Sequence, residues 1–394
     1  MKFKKDVWVV SELFYPETIS TGYILTEIAK SLTEKNEVNV ITGPKYYEVK
    51  QQNSECESLE NIRIHRIKSN GYNKNILFTR LIGHFTVSLK MLLLMLKKIP
   101  QNSEVFIVTN PVLLFVLSSF FIQRKKWKVK LLVHDVYPEN LLVGGVLNSK
   151  SSLLYLFFQY IFKKAFLKME IIIVLGRDMK VLFERKIGFE KRIEIIENWA
   201  DVDNINIVEN KIQNKKFLFA GNFGRVQGIE ILLEVINTIK NKDFEFLFIG
   251  NGALDSYIKS YIQNNKLWHV KKFGWLPRSS QNKFLAQSTI GVISLKHGMY
   301  GLGVPSKLYN LLAAGKPIFY IGDENSEIHL VMKEYKIGWF SKANNQEMIK
   351  NTFLEIIDCD ENIIREYSLN SRKLAENLYS KKSILKKINS LFVS

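Results

Sequence analysis

GLGVPSKLYNLLAAGKP, residues 301–317, runs straight into the apolar stretch IFYI at 318–321. The pattern is a glycine-rich loop, a helix that starts at Pro305 and Ser306, a stop at Gly315, and then a strand. Lys307 falls in the first turn of that helix, where the macrodipole and the unpaired N–H groups favour anions. An anion such as a diphosphate at this end would remove the conflict, held by the loop and Lys307 together. A surface lysine beside an ordinary cap is the other reading of the same residues.

Outward from this stretch, apolar runs alternate with helical patterns along the whole chain. In the first half the runs are DVWVVS, EVNVIT, NIRIHRI, EVFIVT, KLLVH and EIIIVL, the second and third sharing only a loop. After Asn198 the rhythm restarts with KFLFAG, FEFLFIG, HVKKFG, IGVISL, KPIFYI and IGWF. Continuous apolar strands linked by helices indicate parallel sheets covered on both faces. At 394 residues the chain is too long for one ordinary core. The expected architecture is α/β, with two Rossmann-like domains spanning 1–199 and 200–379. They join near 198–203 with the working cleft between them, and a last helix, 380–394, is assigned back to the first domain. Ligands in such sheets bind beyond the carboxyl ends of the strands, so those ends are where chemistry is sought.

Composition narrows the class further. With 46% apolar and 24% charged residues the chain is globular. Cys56 and Cys359 are its two cysteines, without metal-ligand spacing, which argues against a disulfide scaffold or structural zinc. The first apolar run meets Glu12 too early for a signal peptide. The net charge of +18 is unevenly spread: residues 74–169 hold 14 basic and 3 acidic residues, a local +11. The same segment contains RLIGHFTVSLKMLLLMLKKIP, VLLFVLSSFFIQRKKWKVK and LLYLFFQYIFKKAFLK. None reaches the roughly 20 uninterrupted apolar residues that cross a bilayer. Each joins an apolar helix to terminal cations, as helices lying on an anionic membrane do. Arg124, Lys125, Lys126, Lys163 and Lys164 are the expected membrane-facing cations; a solvated basic rim is the alternative. Nucleic acid is a poor fit, because aliphatic side chains rather than exposed aromatics interleave the lysines.

Several polar turns sit at the expected strand ends. Ser20, Thr21 and Gly22 open a helix after the first strand, HDVYPEN follows the fifth, and FAGNFGRVQG opens the second half. Gly250, Asn251 and Gly252 follow the next strand, and Gly274, Trp275 and Leu276 the one after. Taken with Pro305, Ser306, Lys307, Tyr309, Leu312, Ala313, Ala314, Gly315, Lys316 and Pro317, these turns resemble family 4 retaining glycosyltransferases of GT-B fold. The likeness is particularly to the branch that assembles bacterial surface polysaccharides, which often carries the PSK-x-Y-x-x-L-A-A-G-K-P run that this stretch matches. Asp135, Pro138 and Glu139 match its D-x-x-P-E segment.

The resemblance implies a metal-independent transferase that uses a nucleoside-diphosphate sugar, with UDP the expected nucleotide, and no resident cofactor. It implies catalytic positions at His134 and Asp135, beside the reacting carbon or the acceptor hydroxyl. Donor contacts would come from Gly22, Asn222, Arg225, Gln227, Gly250, Asn251 and Gly252. The base would be read by backbone groups of Trp275 and Leu276, and the remaining contacts would come from Gly301, Gly303, Val304, Ser306, Lys307 and Asn310. Asp135 as a turn cap, His134 as a packed strand residue and Trp275 as core packing are the plainer readings. The acceptor implied is a polyprenyl-diphosphate-linked glycan, with the enzyme peripheral on the inner face of the cytoplasmic membrane.

Two departures stand out. The family's phosphate-binding Arg and Lys are replaced here by Asn222 and Gln227, so Lys307 on the other helix is the candidate substitute. The usual pair of glutamates falls at Leu302 and Asn310. Asn310 still offers a ribose hydroxyl a hydrogen bond, whereas Leu302 has no carboxylate, so backbone N–H groups of 301–304 are the expected replacement. A GT-B-like sugar-nucleotide epimerase and a non-catalytic subunit of the same fold are the rival readings.

Overall fold

The computed structural model describes residues 5–17, 20–45, 56–68, 77–147, 149–207, 214–239 and 243–392. The outermost residues of the expected domains, 1–4 and 393–394, lie outside this set.

Eight strands form the first sheet: β1 (Lys5–Ser11), β2 (Asn36–Thr42), β3 (Cys56–Leu59), β4 (Ile62–Arg66), β5 (Glu104–Val108), β6 (Lys128–Leu132), β7 (Ile171–Val174) and β8 (Ile193–Ile195). Their spatial order is β3-β4-β2-β1-β5-β6-β7-β8. Helices α1 (Ser20–Leu32), α2 (Leu77–Lys98), α3 (Val112–Ser119), α4 (Ile122–Lys125), α5 (Glu139–Val143), α6 (Leu153–Leu167) and α7 (Arg177–Ile187) connect them. The second sheet contains β9 (Lys215–Asn222), β10 (Phe244–Asn251), β11 (Val270–Phe273), β12 (Ile290–Ser294), β13 (Ile318–Gly322) and β14 (Gly338–Lys342), in the order β11-β10-β9-β12-β13-β14. Its helices are α8 (Ile229–Thr238), α9 (Asp255–Asn264), α10 (Gln281–Ala286), α11 (Lys307–Ala313), α12 (Glu327–Tyr335), α13 (Gln346–Asp358) and α14 (Glu361–Asn377), and α15 (Lys381–Ser390) closes the chain.

Most strands are buried along their length, as in Val7–Ser11 of β1 and all of β12 and β13. That is why they read as continuous apolar runs rather than alternating ones. One pair departs from the all-parallel expectation: β3 runs antiparallel to β4, joined by a tight turn with Glu60 at φ 52°. The polar stretch CESL carries no apolar pattern, so this edge hairpin is invisible to periodicity. The short β8 likewise adds an edge strand beyond the six runs read in this half.

The core of the first sheet continues across the domain junction into the α11 side of the second sheet, through Leu218, Ile293, Leu308, Tyr309 and Leu312. A second cluster covers the opposite face, around Phe217, which stacks on Phe353 at 4.3 Å. At the junction Ala200 pairs with Ser380, and the Ala200 N–H donates to Tyr379 O at 2.7 Å. Tyr309 packs edge-on against Tyr379 at 5.2 Å, which ties α11 to this hinge. Helix α15 lies against α1, with Asn389 hydrogen-bonded to Ser31 and Lys381 ion-paired with Glu27.

Candidate functional site

Helix α11 starts where the glycine-rich loop ends. Ser306 is its N-cap residue, and Gly315 follows its end at φ 61°, a left-handed position suited to glycine. Lys307 does not point away to solvent. Its Nζ donates to Gln227 Oε1 at 3.0 Å and lies 3.6 Å from the centre of the Phe219 ring. Phe219 belongs to β9 and Gln227 to the turn entering α8, so the cation of one helix sits at the mouth of the other. Burial pushes the Lys307 ammonium down to about 7. A half-buried cation bonded to a neutral carboxamide is costly alone and favourable once an anion arrives. Arg225 and Asn222 are exposed on the same turn.

Across the cleft, β6 leads into His134 and Asp135. The N–H of His134 donates to Thr109 Oγ1 at 3.1 Å, fixing this corner to the end of β5. Its Nε2 is buried and finds no hydrogen-bond partner among the described residues. Desolvation lowers the imidazole to about 4, so it is neutral at pH 7. Asp135 is exposed as a residue, and its carboxylate accepts from Asn140 Nδ2 at 3.1 Å. Surrounding protein desolvates it and raises its pKa above the usual carboxylate value.

The two halves meet through the 301–304 loop. Val136 N–H donates to Leu302 O at 3.2 Å, and a Cβ on Gly303 would stand 2.9 Å from His134 O and 3.9 Å from Asp135 Oδ1. The bare glycine therefore lets the donor-side loop reach the His134–Asp135 corner. Farther along, Arg278 stacks on the Tyr23 ring of α1 at 3.6 Å and bonds Asp201 at 2.9 Å. Trp275, 51% exposed, and Leu276 stand at the open edge just before it. Trp275 is thus not core packing.

Other expected site residues have structural work. Gly22 packs its backbone beneath Glu17, where a Cβ would come within 2.7 Å of Glu17 O, so its bareness serves its own turn. Gly250, at φ 145°, faces Gly221 O so closely that a Cβ would lie 1.9 Å away, and Gly252 abuts Phe223 in the same manner. These glycines let the β9 and β10 turns pack together. With its amide turned so that the nitrogen faces the carboxylate, Asn251 donates to Asp255 Oδ1 at 3.2 Å at the start of α9. The Gly301 N–H is committed to Asp178 Oδ2 at 3.1 Å, so it is not the replacement donor expected for a missing carboxylate. Leu302 and Val304 are core residues, while Asn310 is half-buried one turn beyond Lys307. Glu139 pairs with the buried Lys186 at 2.7 Å and holds α5 in place. Of the basic surface, Arg124, Lys126, Lys163 and Lys164 are exposed, but Lys125 bonds Leu96 O at 2.9 Å and ties α4 to α2.

Asp323, at the carboxyl end of β13, was not singled out from sequence. It accepts from Gly298 N at 2.9 Å and Tyr300 N at 2.8 Å, and lies 2.7 Å from His297 Nδ1. A polar residue directly after a buried strand is the signal that could have found it. Among the described residues, no group of three or more His, Cys, Asp or Glu is placed to hold a metal ion.

Comparisons with known proteins bear on the family and the fold. The family described as "Glycosyl transferases group 1" matches residues 202–374. A probable glycosyltransferase of Pseudomonas aeruginosa, WbjE, is 34% identical over 299 residues, which cover 73% of this chain and 74% of that protein. Sucrose-phosphate synthase of Thermosynechococcus elongatus superposes with a TM-score of 0.76 over 99% of this chain and 98% of its own, at 13% identity. Anabaena HepE, solved in complex with UDP, does so with a TM-score of 0.68 over 98% and 99%, at 11% identity. Two parallel-sheet α/β domains facing across a cleft are the GT-B fold. The chain belongs to the group 1 glycosyltransferases.

Proposed function

We propose that the protein is a retaining glycosyltransferase of the family 4 branch carrying the PSK run. It would move an N-acetylated or deoxyamino hexose from a UDP-linked donor to a polyprenyl-diphosphate-linked glycan during surface-polysaccharide assembly. The observation that carries the reading is Lys307, a cation whose one hydrogen bond among the described residues is to the neutral carboxamide of Gln227. UDP bound by a structural neighbour supports the choice of nucleotide.

The leaving group is a nucleoside diphosphate, so negative charge grows on its phosphates in the transition state. Lys307, Arg225 and the starts of α8 and α11 meet that charge without a metal. Gln227 holds the Lys307 ammonium in place, and Asn222 lines the turn. Trp275 and Leu276 border the base, and Asn310 the ribose. On the acceptor side the unpartnered His134 Nε2 is a neutral hydrogen-bonding group for a sugar hydroxyl, and Asp135 faces the reacting carbon or the incoming hydroxyl. Because Gly301 spends its N–H on Asp178, Gly303 is the donor-loop glycine facing the sugar.

A lipid-linked acceptor accords with the outer face of the first domain. Helix α2 exposes Ile82, Phe85, Leu89 and Leu93 on one stripe, and α6 exposes Leu153 at 86% and Phe157 at 56%. Exposed Leu and Phe at this density are unusual on a free surface. Helices α2, α3, α4 and α6 contain no Asp or Glu. Lys164 lies over the exposed Tyr160 ring at 4.3 Å, an arrangement suited to an anionic bilayer surface. No helix among the described residues is long and apolar enough to cross a membrane, so the contact proposed is peripheral, on the inner face of the cytoplasmic membrane.

Calorimetry with UDP, GDP, CDP and their monophosphates, without added metal, tests the donor assignment. Selective binding of UDP, lost in Lys307→Ala far more than binding of free uridine, is expected. Equal losses for the two would remove the phosphate role, and binding of none would remove the transferase reading.

A further inference from the structure

Helices α7 and α12 begin at the domain interface, and neither start is capped by its own N-cap side chain. Gly176 has no side chain to offer, and Ser326 Oγ is taken by Tyr320 and Asp323 O. Both helices instead carry an acid in the first turn, Asp178 in α7 and Glu327 in α12. Glu327 serves the other helix, and Asp178 bridges its own helix start to the 301–304 loop. Glu327 Oε2 accepts the Arg177 N–H at 2.6 Å, and Asp178 Oδ1 accepts the Met179 N–H of its own first turn at 2.7 Å. The Arg177 guanidinium adds bonds to both Glu327 oxygens at 3.0 and 3.1 Å. Glu327 thus caps the start of α7 from across the interface, and both acids are buried, Asp178 3% and Glu327 6% exposed.

The same Asp178 carboxylate also receives the Gly301 N–H at 3.1 Å. That bond fixes the loop whose next residues, Leu302 and Gly303, touch Val136 and His134. The packing leaves no slack. A Cβ on Gly176 would lie 2.8 Å from Glu327 Cβ, and one on Gly301, already at φ 71°, would lie 2.9 Å from Asp178 O.

We propose that Asp178 and Glu327 form an interdomain clasp, and that Asp178 is a positioning residue that sets the 301–304 loop against the His134–Asp135 corner. The clasp governs sugar transfer and leaves nucleotide binding to Lys307 and Gln227. Its catalytic consequence rests on the donor and sugar placements of the proposed function; the clasp itself does not.

Asp178→Asn and Glu327→Gln, which keep side-chain shape, test it in the full chain. By amide hydrogen exchange, Asp178→Asn should lose protection at 301–304, and Glu327→Gln should lose it at the start of α7, although neither segment adjoins the substituted residue in sequence. UDP affinity should stay within about twofold, because the Lys307 corner is untouched. Release of UDP from UDP-N-acetylhexosamines in the presence of membrane lipid extract should fall on the order of 100-fold in kcat, with a much smaller change in donor KM, as for a misplaced reacting centre. Glu327→Gln should behave alike, and the double variant should be no worse than the poorer single one, since both break one unit. Unchanged exchange at 301–304 in Asp178→Asn and at the start of α7 in Glu327→Gln overturns the clasp. A parallel loss of UDP affinity and melting temperature overturns the positioning role in favour of general destabilisation. If the parent protein neither binds UDP nor releases it, the donor reading fails, and the exchange measurement still decides the clasp.

Discussion

Raising the pH should weaken diphosphate binding through one residue, Lys307. Burial lowers its ammonium to about 7 from an ordinary 10.5, so at pH 7 about half of the free protein carries the charge. A bound diphosphate brings negative charge to this end of α11 and restores the charged form, so binding takes up a proton whenever the free site lacks one. The sign follows. Above pH 7 the apparent affinity falls as pH rises, because proton uptake must accompany binding. Between pH 7 and pH 9 a site with a free pKa near 7 loses about 50-fold in apparent affinity, on the order of 2 kcal/mol. At pH 8 the uptake should be close to one proton, about 0.9, readable by calorimetry in two buffers of different ionisation enthalpy. Lys307→Arg should keep binding and flatten the slope, since guanidinium stays charged throughout. Lys307→Met should bind weakly at every pH. The free protein has the opposite slope in stability. Lys307 holds fewer protons folded than unfolded between about 7 and 10.5, so its contribution to stability rises with pH in that window. A flat affinity profile from pH 7 to pH 9 with no proton uptake in the parent protein would refute the phosphate assignment.

Other expected outcomes follow from the same geometry. Asp135→Asn should cut transfer by about 100-fold or more while leaving UDP affinity near that of the parent, and an equal fall in both would move Asp135 out of the reaction. Gly250→Ala should destabilise the second domain by at least about 3 kcal/mol in denaturant unfolding, given the overlap with Gly221 O. Gly274→Ala, with open space at its Cβ, should change stability by less than about 0.5 kcal/mol. Leu153→Asp with Phe157→Asp should lower co-sedimentation with vesicles containing phosphatidylglycerol by at least about tenfold, and the remainder should be more sensitive to salt. Unchanged sedimentation would discard the membrane face.

Much of this architecture is local and therefore readable in the chain. Buried parallel strands must be apolar on both faces, so twelve of the strands announce themselves as runs such as DVWVVS and IGVISL. Loop, helix and strand at 301–321 follow from Gly, Pro and the apolar run, and with them comes the conflict of a lysine at a helix start. Short polar edge strands such as β3 carry no such pattern, and only pairing with β4 reveals them. Tertiary structure alone decided which glycines face the cleft and which merely let two backbones pass, as Gly250 and Gly22 do. Only it could join Lys307 to Gln227, 80 residues away, or Asp178 to Gly301, 123 residues away. A side chain's partner across a domain interface leaves no periodicity, since its energy depends on distance in space rather than position along the chain. The sequence therefore determined the two sheets and the charged helix start. The folded arrangement determined which cation meets the anion and which acids hold the cleft in shape.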